Sequence, residues 1–407
     1  MEKREYGIFS IPVIVAALGY FVDIYDLLLF GIIRKPSLQA LGLTPEQVLT
    51  EGEFIISIQM IGLMLGGILW GVLGDKKGRL SVLFGSIVLY SLANIANGFA
   101  QNVQQYAMLR FVAGIGLAGE LGAGITLVSE LLSKEKRGLG TSMVAGIGLT
   151  GAVAAYFVSK QFDWRICYFI GGAMGLLLLL LRVSVFESTM FTSLKKANVS
   201  RGNFFAFFNN KKRFLTYIRC ILIGLPTWYV IGILVTFSDQ FGLELGISGI
   251  IEPGRAIMFA YVGISIGDVA IGLISQQLRS RKKALYIFYA MTMVFTALFF
   301  MQGNGTPQQM YLICLGLGFG GGFWAIFVTV AAEQFGTNLR ATAATTVPNM
   351  VRGALPLIIL MFKAIREQTS YVTGGIITGA VIMAITWVAA YYTEETFGKD
   401  LNYTEPV

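Results

Sequence analysis

The chain has no histidine, only three cysteines in 407 residues, and charged side chains at just 13% of its positions. Each shortage excludes something. Without histidine, the commonest transition-metal ligand and the usual proton carrier near neutral pH are both missing, so any proton chemistry falls to carboxylates. Cys167, Cys220 and Cys314 are odd in number and lie in or beside apolar segments. They read as small packing residues and not as a disulfide framework. Soluble domains carry about 25% charged residues. A charge content this low, with 55% hydrophobic residues and a mean hydropathy of +0.69, belongs to a chain built almost wholly into a membrane. Disordered and fibrous classes are excluded. No metal-ligand set, nucleophile triad or phosphate-binding loop occurs in the sequence, so neither an enzyme nor a cofactor or metal is expected. The net charge of +8 sits in short segments between apolar runs, as membrane topology requires, and nucleic acid is not expected as a partner.

Long apolar runs are what the chain does have. Twelve of them read as helical spans, at roughly 9–33, 53–74, 80–99, 104–131, 138–160, 164–186, 214–238, 255–278, 284–302, 308–333, 342–365 and 371–392, near the length that crosses a hydrocarbon core. The first run is too long for a cleavable signal peptide and contains Asp23 and Asp26. Between the sixth and seventh runs a polar connector carries Lys195, Lys196, Arg201, Lys211, Lys212 and Arg213. The expected layout is an all-α membrane protein of twelve transmembrane helices. Two six-helix bundles, residues 1–186 and 214–407, are joined by a cytoplasmic linker at 187–213. With the N-terminus inside, one side holds Lys3, Arg4, Lys76, Lys77, Arg79, Lys134, Lys136, Arg137, the connector, Arg279, Arg281, Lys282, Lys283, Arg340 and Lys399. The other side holds Arg34, Lys35, Lys160, Arg165, Arg255, Lys363 and Arg366. That excess places both termini in the cytoplasm, with the chain in an inner or plasma membrane.

The halves repeat. Glu130 and Arg137, where the fourth run meets the fifth, recur 203 residues later as Glu333 and Arg340, and Gly114 and Gly116 find Gly316 and Gly318 at an offset of 202. Duplicated halves put a substrate site at their interface near mid-depth, served by alternating access. The turn between the second and third runs reads Gly71-Val72-Leu73-Gly74-Asp75-Lys76-Lys77-Gly78-Arg79. It resembles the G-x-L-x-D-R-x-G-R-R signature of the major facilitator superfamily, with Lys76 in place of the usual Arg. Arg110, Gly114 and Gly116 resemble the family's fourth-helix R-x-x-x-G-x-G pattern. Phe186-Glu187-Ser188 and Glu394-Glu395-Thr396-Phe397-Gly398-Lys399-Asp400-Leu401 look like the P-E-S and P-E-T-K-G-K-x-L tails of its sugar porters and organic-ion transporters. The resemblance implies two pseudo-symmetric bundles and a monomer. It also implies an inner charge network that pairs when the inner side is closed. Gly74, Asp75, Arg79, Arg110, Glu130, Arg137 and Glu187 belong to it in the first half, and Glu333, Arg340 and Glu395 in the second. Ser275-Gln276-Gln277-Leu278-Arg279 stands where the second half would carry an Asp, so the two gates are expected to be unequal.

Charges inside spans are expensive and mark function. Asp23 and Asp26 are three apart in the first run, so they share a helical face with Tyr20. Two acids so close in a low dielectric cannot both ionise cheaply, and at least one is expected to load a proton. Their spacing is similar to the D-G-x-D motif of aromatic-acid/proton symporters, with Ile24 in place of the Gly. Glu120, set among glycines in the fourth run, is a third proton candidate, or else half of an ion pair with a neighbouring helix. Arg352, near the middle of the eleventh run, offers a bidentate fork to a substrate carboxylate or to an acid such as Asp23. Pro226 loosens the seventh run, and Trp228 and Tyr229 beside it are candidates to stack on an aromatic substrate. Gln59, Trp324 and Asn349 complete the candidate cavity groups, and Asp268 is a secondary charge for gating or packing. The expected function is secondary active transport: proton-coupled symport of a small organic anion, a monocarboxylate or aromatic acid, across the lipid bilayer. The alternatives are a sugar or polyol porter, a proton-driven drug or metabolite exporter, and a non-transporting receptor on the same scaffold.

Overall fold

In the computed structural model the described residues are 7, 9–77, 79–120, 122, 124, 128, 132, 143–187, 204–399 and 405; for 74–77, 79–81, 184–187, 337 and 341 the backbone alone is described. No strand occurs among them. In chain order the helical runs are α1 (Ile11–Ala40), α2 (Pro45–Lys77), α3 (Arg79–Asn97), α4 (Val103–Leu117), α5 (Met143–Gln161), α6 (Trp164–Glu187), α7 (Lys211–Val235), α8 (Pro253–Leu278), α9 (Arg281–Met301), α10 (Pro307–Glu333), α11 (Asn338–Arg366) and α12 (Tyr371–Tyr392). Among the described residues, all but α3 and α4 are long and apolar enough to cross a membrane. The chain is a multi-pass helical membrane protein, as its composition requires.

Local chemistry sets the helix starts. Thr306 and Gln309 form a reciprocal capping box at the start of α10, and the side chains of Asn102, Ser280 and Ser370 accept backbone N–H groups at the starts of α4, α9 and α12. The first hairpin overshoots its apolar runs. Hydropathy marks only the part of a helix that sits in hydrocarbon. The backbone stays helical beyond it, so α1 runs through Pro36 to Ala40 and α2 begins at Pro45. Side chains such as Leu65, Leu69, Leu177, Leu180, Ile266, Leu273, Leu357 and Leu360 remain exposed, as lipid-facing residues do when every backbone group is satisfied inside its own helix.

Three helices of the second half break at mid-length. The break in α7 falls at Gly224, ahead of Leu225-Pro226, and its Val230–Val235 segment winds as a π-helix. The breaks in α10 and α11 fall at Gly322 and at Ala354, ahead of Leu355-Pro356. Proline lacks the N–H that would continue the ladder and crowds the preceding turn. At the break in α10, Asp268 of α8 accepts the freed N–H of Ala325 at 3.0 Å. That charge therefore acts as a cap supplied by a neighbouring helix.

The same helix crossing is built twice. Gly62 and Gly66 of α2 lie on the backbone of α4 at Phe111 and Ile115, and Gly114 of α4 lies on Gln59 of α2. In the second half, Gly263 and Gly267 of α8 lie on Leu315 and Phe319 of α10, and Gly318 answers on Ala260. Any Cβ at these positions would overlap a carbonyl oxygen, so glycine is what lets the axes approach. Contact thus matches Gly114 with Gly318, two residues away from the pairing read in the sequence. In a segment with glycine at 316, 318 and 320, a G-x-G pattern leaves the register open by two. Between the halves, α2 meets α11, and α8 meets α1 and α5.

Gly114→Ala and Gly318→Ala should each destabilise the purified protein by about 1–3 kcal/mol, the usual cost of overpacking. Gly272→Ala, where a Cβ meets nothing within 4 Å, should leave the melting temperature in detergent unchanged.

Candidate functional site

The site is built on the buried face of α1. Asp23, Asp26 and Tyr20 lie on that face, and Asp23 and Asp26 are fully buried. Among the described residues, none of the four carboxylate oxygens of the two acids accepts a hydrogen bond. Around Asp26, Arg110 of α4 donates to the Asn94 side chain at 2.8 Å and to the Asp26 backbone carbonyl at 3.4 Å. The Arg110 guanidinium lies over the Tyr168 ring of α6 at 5.0 Å. Gly171 of α6 leaves room for the Asp26 carboxylate, which a Cβ there would displace. Four helices thus place one cation beside one acid without closing a direct salt bridge.

Asp23 faces the second half. Arg352 of α11 supplies positive field at Asp23, and Glu120 and Asp26 supply negative field. Tyr20 and Tyr261 of α8 also lie within electrostatic reach of both Asp23 and Arg352. Arg352 is 2% exposed. Its one hydrogen bond among the described residues goes to Asn349 at 3.3 Å. It lies over the Trp324 ring at 5.8 Å. Asn349 in turn donates to the carbonyls of Ala118 and Thr345, both at 3.0 Å, which ties α11 to α4 beside the guanidinium. Arg352 is therefore positioned but underused, opposite an acid that has no donor.

Glu120 is occupied. Arg182 of α6 grips it through both guanidinium nitrogens, one contact at 3.0 Å and one shorter, with both side chains 1% exposed. The pair rests against Gly19 of α1, where a Cβ would collide with both partners. Of the two roles read for Glu120, the geometry gives the ion pair. Sequence reasoning missed Arg182; its signal was a lone guanidinium directly after the leucines at 176–181.

The remaining candidates scatter. Gln59 donates to the Leu27 carbonyl at 3.2 Å and ties α2 to α1. Trp228 is buried with its ring N–H unbonded. Tyr229 turns away from α1, donating to the Gly375 carbonyl of α12 at 2.8 Å. At the end carrying Leu278 and Arg281, here the basic end, Glu333 meets Arg281 at 3.5 Å and accepts the Thr396 hydroxyl at 2.7 Å. Glu395 accepts the N–H groups of Arg281 and Lys282 and the Ser280 hydroxyl. Burial would push the Glu395 carboxyl up, but these donors outweigh it and hold it below the usual carboxylate range. Arg340 donates to the Phe335 carbonyl at 3.4 Å. In the first half Glu130 and Arg137 lie outside the described residues. So do the side chains of Asp75, Arg79 and Glu187; Gly74 is described by its backbone alone.

The opposite end carries ion pairs that join the halves. Arg366 of α11 holds Glu53 of α2 through two contacts, one at 3.1 Å and one shorter. Lys35 of α1 holds Asp239, which follows α7, by a short contact. Lys160 of α5 meets Glu252 at 2.6 Å, and Tyr156 donates to the same carboxylate at 3.3 Å.

A bundle with a doubled α2/α4 crossing, broken helices and buried charge at mid-depth is a transporter architecture. The profile of the Major Facilitator Superfamily matches residues 16–359. The chain belongs to the major facilitator superfamily. Among characterised relatives it is 27% identical to the niacin transporter NiaP of Acinetobacter baylyi, over 99% of this chain and 98% of that one. It is also 27% identical to the 3-(3-hydroxy-phenyl)propionate transporter of Escherichia coli, over 79% and 78%. The solved proton:xylose symporter XylE shares the fold, with a TM-score of 0.69 and 16% identity, over 97% of each chain. As a superfamily member the chain is a transporter of a small molecule and not an enzyme, and the charges around α1 lie at the centre of the fold.

Glu120→Ala should destabilise the protein by about 3–5 kcal/mol, because it strands the buried Arg182. Replacing both residues with methionine should recover most of that loss. Melting temperature and monodispersity in detergent read both outcomes.

Proposed function

We propose that this transporter carries a small organic anion, a monocarboxylate or aromatic acid, together with protons. The observation that carries the reading is Arg352, a buried guanidinium with one hydrogen bond among the described residues, within electrostatic reach of Asp23, whose carboxylate has no hydrogen-bond partner among them. A planar two-oxygen anion matches the free fork of that guanidinium. The names of the relatives, transporters of niacin and of a phenylpropionate, favour the same substrate class. The Trp324 ring beside Arg352 offers an aromatic face to an aromatic acid.

Protons enter through α1. With Asp23 ionised, its field and that of a bound carboxylate compete for Arg352. A proton on Asp23 removes the competitor and frees Arg352 for substrate. Asp26, beside Arg110, is the second proton carrier. Its protonation releases the field that draws α1 toward α4. Coupling follows because substrate and proton each favour one arrangement of the same charges, and a ligand shifts an equilibrium only by its differential affinity. Residues 1–186 and 214–407 are the two rocking bodies, joined through 187–213. The seams of α2 with α11 and of α5 with α8 are the surfaces that open and close. The Lys and Arg distribution puts the basic end and both termini in the cytoplasm of an inner membrane, with the protein acting as a monomer. The opposite end then faces outward.

In proteoliposomes offered nicotinate, benzoate, xylose and a cationic amine, an inward proton gradient should stimulate uptake of the aromatic carboxylates alone. Uptake indifferent to the gradient, or gradient-driven efflux of the amine, would replace symport with a facilitator or an exporter. Arg352→Gln should raise the carboxylate KM at least ~30-fold, since truncating a buried charge contact costs about 2–5 kcal/mol. Asp26→Asn should abolish gradient stimulation while leaving substrate exchange at zero gradient.

A further inference from the structure

One largely buried cluster at the outward end holds more cations than acids. Where α1, α2, α7 and α11 converge, three cations, Arg34, Lys35 and Arg366, meet two acids, Glu53 and Asp239. Arg366 takes both oxygens of Glu53. Lys35 and the Gln240 amide take one oxygen of Asp239. The other Asp239 oxygen makes no hydrogen bond and lies 3.7 Å from the Arg34 guanidinium. Arg34 is therefore the most loosely held of the three cations, paired with Asp239 at long range and without a hydrogen bond. It is 1% exposed, and its Nε, Nη1 and Nη2 have no hydrogen-bond partner. Its guanidinium carbon sits 4.4 Å over the Phe237 ring, and its stem lies against Gly52, where a Cβ would collide with it. A guanidinium buried with no acceptor is costly unless another state of the molecule supplies one.

The connectivity shows what that state offers. Arg34 and Lys35 travel with α1, whereas Phe237 and Asp239 travel with the chain that follows α7. If the halves part at this end, Asp239 withdraws and leaves a guanidinium fork and an ammonium facing the opening. Glu53, released from Arg366, compensates only one of them.

Building on the organic-anion reading above, we infer that Arg34 is a second anion-binding site, at the outward mouth, and that Asp239 is its tethered competitor. With the end open, the substrate carboxylate occupies the Arg34 fork, with Lys35 beside it. As the end closes, the Asp239 carboxylate takes the same cations and displaces the substrate inward. The site thus captures the anion and the closing motion returns it to solution inside the bundle, where Arg352 waits.

Uptake kinetics with radiolabelled benzoate in proteoliposomes separate this role from a simple clasp. Arg34→Gln should raise the outward-side KM about tenfold or more at nearly unchanged kcat, the loss of a charge-assisted fork. Asp239→Asn removes the competitor and should lower KM by about threefold or more, the opposite sign. If the Arg34–Asp239 contact only clasps the halves, both variants break the same contact and shift KM in the same direction, which overturns the inference. Arg34→Lys, which keeps the charge and loses the fork, should fall between wild type and Arg34→Gln, and it serves where the glutamine variant fails to fold. Wild-type protein that carries no carboxylate would overturn the organic-anion reading and this site with it. Carboxylate transport with parallel shifts in the two variants would overturn this site alone.

Discussion

Charge buried where neither water nor lipid can solvate it is the constraint on which the rest depends. Each buried ion in the bundle must find a counter-ion on another helix or become neutral. The first solution fixes helices relative to one another; the second makes their arrangement depend on protonation. α1 meets both. Gly19 carries the closed Glu120–Arg182 pair, while Asp23 and Asp26, a turn or two on, lack donors to their carboxylates. One helix therefore combines a stretch seated against a closed ion pair with a stretch whose acids lack donors among the described residues.

Much of the fold was legible because a bilayer leaves few choices. Run length and the absence of charge mark helices directly, and α12 begins and ends where its apolar run does. The helix breaks were less legible. Pro226 signalled the one in α7, but Gly322 in α10 looks like any other glycine of a glycine-rich run. The site divided in a similar way. Asp23, Asp26, Glu120 and Arg352 stood out because each interrupts an apolar stretch. Arg182 interrupts one too, yet near a span's end it resembles a boundary charge. Tyr229 and Gln59 show the limit: which way a side chain turns around its helix depends on neighbours distant in sequence. The ion pairs at the end opposite the basic one were beyond reach for the same reason. Only the meeting of α1, α2, α7 and α11 turns Arg34, Glu53, Asp239 and Arg366 into a connected set.

The two halves share a crossing but not a character. Glycines on α2 and α4 and on α8 and α10 produce the same close approach, so the duplicated scaffold is preserved at its tightest contact. The additions differ. The first half places two acids on α1, sets Arg110 beside one of them, and pairs Glu120 with Arg182. The second half supplies Arg352, breaks three helices, and uses Asp268 to cap one of the breaks. Packing symmetry thus coexists with a difference in content: buried acids on α1 in one half, and broken helices with the buried Arg352 in the other.

The seat of the Glu120–Arg182 pair on Gly19 links three positions on three helices into one inherited unit. A larger residue at 19 would force the ends of both side chains to shift, and the pair cannot be dismantled one member at a time without stranding the other. The absence of a side chain at residue 19 thus sets where the ion pair between residues 120 and 182 can sit.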